Sequence, residues 1–383
     1  MKGESVVEVV ERVVSEMKDP RIVGRTLHSL SDILVLTLAG VLAGSESWEE
    51  IIEHAHDREE WFRGFLELKN GIPSHDTIER VFERIWPEEF RALMMGLSGA
   101  LHESFDGQII SIDGKSLRGS FDRLLGQKMK HLVSAFVGES GVTITVAAVP
   151  EKSNEIRAIP EVLNAFDIEG ATVTLDAMGC QTAIAAQITE KKGDYVFGLK
   201  GNQGDLHDAV EKFFSLINFQ DYAQTNDATV FYSIDKGHGR IEERAYFVDD
   251  DVRWLPGFSK WAGLSSIGMV ISRRTEKEKT TEERRFFISS LPAVAEPFAK
   301  AVRQHWSIEN GSHYVLDVTF REDNSRIRRG FTAENMAIMR RMANTLLRTD
   351  TTPRMSMRRK IGRANRSTEY MARILTAPLV KQF

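Results

Sequence analysis

Through the first hundred residues apolar positions recur every three or four places, the period of helices with one buried face. The spacing predicts helices over Leu30 to Leu42, Trp48 to Leu66 and Thr77 to Leu101, the last entered through the capping residues Ser74 and Asp76. From Gly107 the period drops to two. QIISID, HLVSAFVG and VTITVAAV, between Gln108 and Val149, read as three strands of an antiparallel meander. Next come an amphipathic helix over Asn154 to Phe166, strand ATVTLDA, a helix over Gln181 to Lys192 and strand DYVFGLK.

The order is β-β-β-α-β-α-β, with an acidic residue on the first strand and another on the fourth. That is the layout of an α/β, ribonuclease H-like mixed sheet with helices on both faces. Between Lys200 and Ala295 a polar helix, Asp205 to Ile217, and the strand patterns TVFYSID, ERAYFVD, SIGMVISRR and RRFFISSL depart from it, as a β-rich insertion would. The helix FAKAVRQHWSIENGSHYVL follows Pro297, then a basic helical end. The expected divisions are an N-terminal helical domain over 1–104, a first part of the core over 105–200, the insertion over 201–295, a second part of the core over 296–347 and a basic tail over 348–383. GIPSHDTIERVF has the turn-then-helix form of a helix-turn-helix, which would turn Ser74, His75, Thr77 and Arg80 toward a DNA groove. A helical bundle that packs on the core or pairs with a second copy is the preferred account, since turn-helix sequences are common and this one is only mildly basic.

Composition narrows the class. The 383 residues suffice for two or three cored domains, and the single cysteine, Cys180, excludes an intrachain disulfide and a cysteine-rich zinc site. The first twenty residues carry charges of both signs, unlike a signal peptide, and Asp32 to Gly44 is too short to span a bilayer. A soluble, cytoplasmic protein with no membrane partner is expected. The net charge of −5 is unevenly spread: residues 321–383 hold 15 Lys and Arg against 5 Asp and Glu, leaving 35 against 50 before them. Arg354, Arg358, Arg359, Lys360, Arg363 and Arg366 suit a phosphate backbone, although a solvated helix face would look the same.

Three acids stand out: Asp113 in SIDGKSLRGS, Asp176 in TLDAMGC and Glu309 in HWSIENGSHY. The first two close strand patterns, at the edge where open α/β sheets gather ligands. Carboxylates brought together repel unless cations lie between them, and oxygen-only ligation points to Mg²⁺ or Mn²⁺, with a phosphodiester as substrate. Asp113, beside Gly114, would stand at a strand end next to a tight turn, with Lys115 and Arg118 placed to hold a phosphate. A plain turn former and a helix N-cap are the bland alternatives for Asp113 and Asp176. On a continuous helix His305, Glu309 and His313 share one face, which permits a rival His-Glu-His site for zinc or iron; the two histidines fit better as groups behind the ligands or on DNA, with simple core histidines as the bland alternative.

SIDGKSLRGS, TLDAMGCQ, LKGNQ, GHGRIEER, HWSIENGSHYVLDVTFREDNSRIR and ENMAIMRR, in that order, resemble the signature blocks of bacterial insertion-sequence transposases of the DDE type, those related to the H-repeat-associated proteins. The likeness runs from about Asp19 to Leu347. It implies a ribonuclease H-like core whose metal-binding triad is Asp113, Asp176 and Glu309. It also implies two Mg²⁺ or Mn²⁺ ions, cleavage at transposon ends, and joining of the freed 3′-hydroxyl to target DNA. A homodimer holding two terminal inverted repeats is the implied assembly. Where relatives often carry a tyrosine and an arginine before the Glu and a lysine after it, this chain has Val302, His305 and Leu316. The candidate DNA contacts are Lys115, Arg118, Lys200, Asn202, His238, Arg240, His305, His313, Arg326 and Arg328. A non-catalytic DNA-binding descendant and a structure-specific nuclease without strand transfer are the alternatives.

Overall fold

The computed structural model describes residues 3–22, 24, 26–121, 126, 128–149, 155–217, 227–237, 239–277, 279–350 and 354–382. Two compact units emerge. The first comprises Met1–Ser104, Gly114–Val162 and Ile308–Phe383, and the second Phe105–Asp113 and Leu163–Ser307. The chain is mixed α/β, with nine strands among the described residues: β1 (Ile109–Leu117), β2 (Lys130–Val137), β3 (Val142–Val149), β4 (Thr172–Leu175), β5 (Asp194–Leu199), β6 (Val230–Gly237), β7 (Arg240–Asp249), β8 (Ser266–Glu276) and β9 (Lys279–Ser289).

The first unit is built on helices. Val6–Glu16 opens with a reciprocal capping box, Ser5 with Glu8, the S-x-x-E signal of a helix start. Leu30–Ala43, capped by Ser29 and ended by Gly44 at φ 92°, is buried nearly all round, as its uninterrupted apolar run requires. The long helices expected over Trp48 to Leu66 and Thr77 to Leu101 are each broken. The first stops at His56 and a short turn resumes at Glu59. The second divides into His75–Arg84 and Pro87–Leu101 because Pro87 disfavours helical backbone at Trp86 while itself suiting a first helical turn.

Helix Thr332–Thr349 is the spine of this unit, buried from Thr332 to Leu347. It packs against Leu30–Ala43, Pro87–Leu101 and β3, in one core that includes Leu34, Leu38, Phe82, Phe90, Val142, Met339 and Leu346. Its polar residues are matched to backbone: Asn335 Nδ2 donates to the carbonyls of Phe82 and Ile85, both at 2.8 Å, and Thr345 Oγ1 accepts from the Thr143 N–H at 3.1 Å. β2 and β3 pair antiparallel, and the order here is β3–β2–β1. The basic end, expected to be helical, forms helices Met357–Arg366 and Thr368–Leu375.

In the second unit the order is β1–β4–β5–β9–β8–β7–β6. β1, β4 and β5 run parallel, whereas β5–β9 and the β9–β8–β7–β6 ladder are antiparallel. Of the four strands read as an insertion, β9 therefore hydrogen-bonds directly onto β5, and β8, β7 and β6 extend the ladder outward from it. Helix Ala295–Ile308 lays Ala295, Phe298, Ala299 and Val302 into a core with Val196, Val248 and Val270. Among the described residues no single helix is long and apolar enough to cross a membrane.

Asn335→Ala orphans two buried carbonyls at the end of helix His75–Arg84, each worth about 1–3 kcal/mol when left unpaired. Denaturant unfolding should show a loss of that order; wild-type stability would contradict the bonding.

Candidate active site

Parallel pairing of β1 with β4 sets Ile109 opposite Thr172 and ends with Ile112 opposite Leu175. Asp113 and Asp176 are the next residues on the two strands. Neighbouring strands lie about 4.8 Å apart, so these carboxylates leave the same edge of the second unit on the same face. Asp113 does not end its strand, contrary to the sequence reading, for β1 continues to Leu117. Gly114 serves close approach instead of a turn. A Cβ there would sit 2.6 Å from the carboxyl carbon of Glu155, an acid whose proximity to the aspartate strand no local motif signals.

Asp176 is also the N-cap of the 3₁₀ turn Ala177–Gly179, its Oδ1 accepting from the N–H groups of Met178 at 3.0 Å and Gly179 at 3.2 Å. Both of these bonds go to Oδ1, so capping and ligation through Oδ2 are compatible. Asn202, expected on DNA, steadies this turn: its Nδ2 donates to the Ala177 carbonyl at 2.7 Å, and Gln203 Nε2 donates to that of Cys180 at 2.9 Å. Burial, with a smaller push from Asp176, drives the Cys180 thiol up to about 12, so it is no nucleophile.

His305 lies behind β4. Its Nδ1 meets Thr174 Oγ1 at 3.0 Å; Thr174 donates onward to Ser111 Oγ at 3.2 Å, and Ser111 to the Gln304 carbonyl at 3.1 Å. The terminal carbonyl can only accept, so the chain runs one way and assigns the proton to Nδ1. Burial lowers the His305 pKa, with Asp176 pulling the other way. These contacts make it a support for the aspartate strand and argue against a DNA-facing ring. Beside it Trp306 is partly exposed under the Arg285 guanidinium, 4.5 Å from the ring centre.

In the first unit Glu309 is exposed and opens a π-helical turn, Glu309–His313, which leads into helix Tyr314–Val318. A ligand oxygen of Glu309 and a ring nitrogen of His313 lie within 4.8 Å of each other. The continuous α-helix assumed from sequence is absent: one extra residue per turn re-phases everything beyond Glu309, and Gly311, Ser312 and His313 are buried in succession. His313 therefore belongs to the interior and not to a DNA-facing surface.

Lys115, expected to hold a phosphate, is enclosed by carboxylates instead. Its side chain is 7% exposed, and its Nζ lies 2.5 Å from Asp317, 3.4 Å from Asp323 and 3.6 Å from Glu322. Glu322, itself 1% exposed, is held from its other side by Arg341 at 2.9 Å. Burial keeps the Asp317 carboxyl above its usual range and Lys115 draws it back. An ammonium so enclosed is spent on the fold and cannot grip a phosphate. The acids that claim it lie some two hundred residues away, beyond the reach of local motif reading.

Of the other expected DNA contacts, Arg118, Lys200 and Arg326 are exposed. Arg328 donates through Nε to the Gly119 carbonyl at 2.7 Å, and Arg240 pairs with Glu242 at 2.9 Å. His238 lies outside the described residues. In the basic end Lys360 is buried, donating to the carbonyls of Leu347 and Asp350, and Arg363 stacks on Tyr370. Arg354, Arg358, Arg359 and Arg366 remain exposed, a smaller footprint than charge counting suggested. In the helix-turn-helix-like segment Ser74, His75 and Arg80 are exposed and Thr77 half-buried, with Asp76 3.3 Å from His75 and 3.8 Å from Arg80.

Lys115→Met leaves the half-buried Asp317 and Asp323 without the ammonium they share, while Glu322 keeps Arg341; lost charged hydrogen bonds of this kind cost about 1.5–3 kcal/mol. Equilibrium unfolding should register that loss; a change below about 1 kcal/mol would mean the cluster is solvated.

Residues 104–346 match the Transposase DDE domain model, and residues 12–97 match the DDE_Tnp_1-associated model. The chain is 40% identical to "Putative transposase YncI" of Escherichia coli O157:H7 over 368 residues, 95% of this chain and 93% of that protein. It is 39% identical to "H repeat-associated putative transposase YhhI" of Escherichia coli K12, over 94% of this chain and 96% of the relative. Among solved structures, a piggyBac transposase synaptic complex with hairpin DNA aligns with a TM-score of 0.48 at 9% identity, covering 100% of this chain and 85% of that one, a likeness too loose to bear weight. With the family model spanning well over half its length and relatives matched almost end to end, the chain belongs to the DDE transposase family and is an enzyme that acts on DNA.

Proposed function

We propose that the carboxylates of Asp113, Asp176 and Glu309 are the metal ligands of a transposition reaction that cleaves DNA at transposon ends and joins the freed ends to target DNA. The observation that carries this reading is the register that sends Asp113 and Asp176 off the same edge of adjacent parallel strands. Their donors are all oxygen, which fits Mg²⁺ or Mn²⁺ over zinc, and three acids suffice for two ions. The order β3–β2–β1 on one side of the shared strand and β1–β4–β5 on the other supports a ribonuclease H-like core.

Divalent ions bound here supply Lewis-acid chemistry: they favour deprotonation of the attacking hydroxyl and stabilise the charge that develops on the leaving oxygen. The chain's residues do the rest. Asn202 and the backbone cap hold the Asp176 turn, and the His305–Thr174–Ser111 chain stiffens the strand beneath it. Arg118, Lys200 and Arg326 offer exposed cations to DNA phosphates, with Arg354, Arg358, Arg359 and Arg366 adding a second positive face. In the first step water attacks an end phosphodiester and its P–O3′ bond breaks to give a 3′-hydroxyl. In the second that hydroxyl attacks a target phosphodiester, and the target's own 3′-oxygen leaves. Two ends must be handled together, so the working unit is a homodimer on paired terminal inverted repeats in the bacterial cytoplasm.

Asp113→Asn, Asp176→Asn and Glu309→Gln should each abolish Mg²⁺-dependent cleavage of terminal-repeat DNA and leave DNA binding without metal within about twofold. Cleavage by any of the three at a tenth of the wild-type rate or more removes that residue from the triad. Joined products on a target plasmid distinguish a transposase from a nuclease that stops at hydrolysed ends.

Removing exposed arginines should act on salt dependence. If Arg358 and Arg359 each meet a phosphate, Arg358→Gln with Arg359→Gln should reduce the slope of log K against log salt by about 1.8. An unchanged slope would free the basic end from DNA.

A further inference from the structure

From the bonding around the π-turn we infer that Asn344 is a positioning residue for Glu309, latching the turn from the buried spine of the first unit; this rests on the reading of Glu309 as a metal ligand. The turn begins on Glu309 itself, whose carbonyl accepts from the N–H of Tyr314 five residues on. Such a turn stores one residue more than an α-helix and relaxes to the α form unless something outside it takes up the altered backbone. Asn344 does so. Its Nδ2 donates to the Gly311 carbonyl at 3.1 Å, and the partner being a carbonyl identifies the amide nitrogen as the facing atom.

Asn344 is fully buried on Thr332–Thr349, so the latch has a rigid base and a short side chain with little freedom. On its other side Gly311 is closely walled: a Cβ there would lie 3.1 Å from Phe136 Cζ and 3.3 Å from Arg348 Nη2. The turn is thus fixed at its third residue by a hydrogen bond and by contact, and the backbone of Glu309, two residues earlier, is fixed with it. That gives the sequence a use for Asn344 and Gly311, which a purely apolar helix contact would not need. A carboxylate carried on a continuous α-helix would emerge at a different angle, and ligands misplaced by about 1 Å bind metal poorly.

The test is Mn²⁺ binding measured by calorimetry on the full-length protein without DNA, so that no turnover contributes. Wild type, Glu309→Gln, Asn344→Leu and the double variant are compared, with Gly311→Ala run beside them because it disturbs the same turn while leaving Asn344 intact. Asn344→Leu and Gly311→Ala should each weaken Mn²⁺ binding about tenfold, the cost typical of groups that orient ligands. Asn344→Leu added to Glu309→Gln should weaken it no further. Should Asn344→Leu fail to fold, Gly311→Ala decides. If Glu309→Gln loses affinity while the turn variants bind as wild type does, the latch is refuted and the ligand assignment stands, whatever their thermal stability. If Glu309→Gln itself binds normally, the ligand assignment falls and the latch with it.

Discussion

The parallel register of β1 on β4 is the constraint from which the rest of the site follows. Ile110 and Ile112 on one strand and Val173 and Leu175 on the other are buried, so the pairing is fixed by which side chains can enter the core. A slip of one residue would turn every side chain on one strand to the opposite face and separate Asp113 from Asp176. Apolar packing sets the register, and the register sets the acids.

Around these two aspartates the chain invests in polar structure that is costly to bury and must be matched group for group. The Asp176 turn is capped by its own side chain and tied by Asn202. Thr174, Ser111 and His305 form a directed chain that ends on a carbonyl. In the first unit Lys115 and Arg341 answer the carboxylates that surround them, and Asn344 answers Gly311. Such contacts constrain the groups that make them, because buried donors and acceptors are costly to leave unpaired. On the proposed assignment that rigidity has a use, since metal ligation would depend on where these carboxylates stand before DNA arrives.

Much of this could be read from the sequence, and the limits have physical causes. Period-two segments located β1 to β5, and the strand patterns after Lys200 were found as strands. The Pro87 break was missed because apolar spacing continues across it, so periodicity outvoted a local backbone rule. Asp113 and Asp176 emerged because each closes an apolar run, a local signal. Lys115 was misread because its partners Asp317, Glu322 and Asp323 are distant in sequence, and a lysine beside an aspartate proposed as a metal ligand suggests phosphate when nothing else is known. The π-turn was invisible, since its stabilising partner, Asn344, lies on another helix. His305 and His313 share a face only on the continuous α-helix that the chain does not form.

The central claim is that three carboxylates, and not a histidine-rich set, take the metal. The most direct measurement is anomalous diffraction from crystals of the protein with terminal-repeat DNA and Mn²⁺. The account predicts peaks within about 2.0–2.6 Å of oxygens from Asp113, Asp176 and Glu309. Metal held by His305 and His313 with Glu309 alone, and none at the two aspartates, would contradict it.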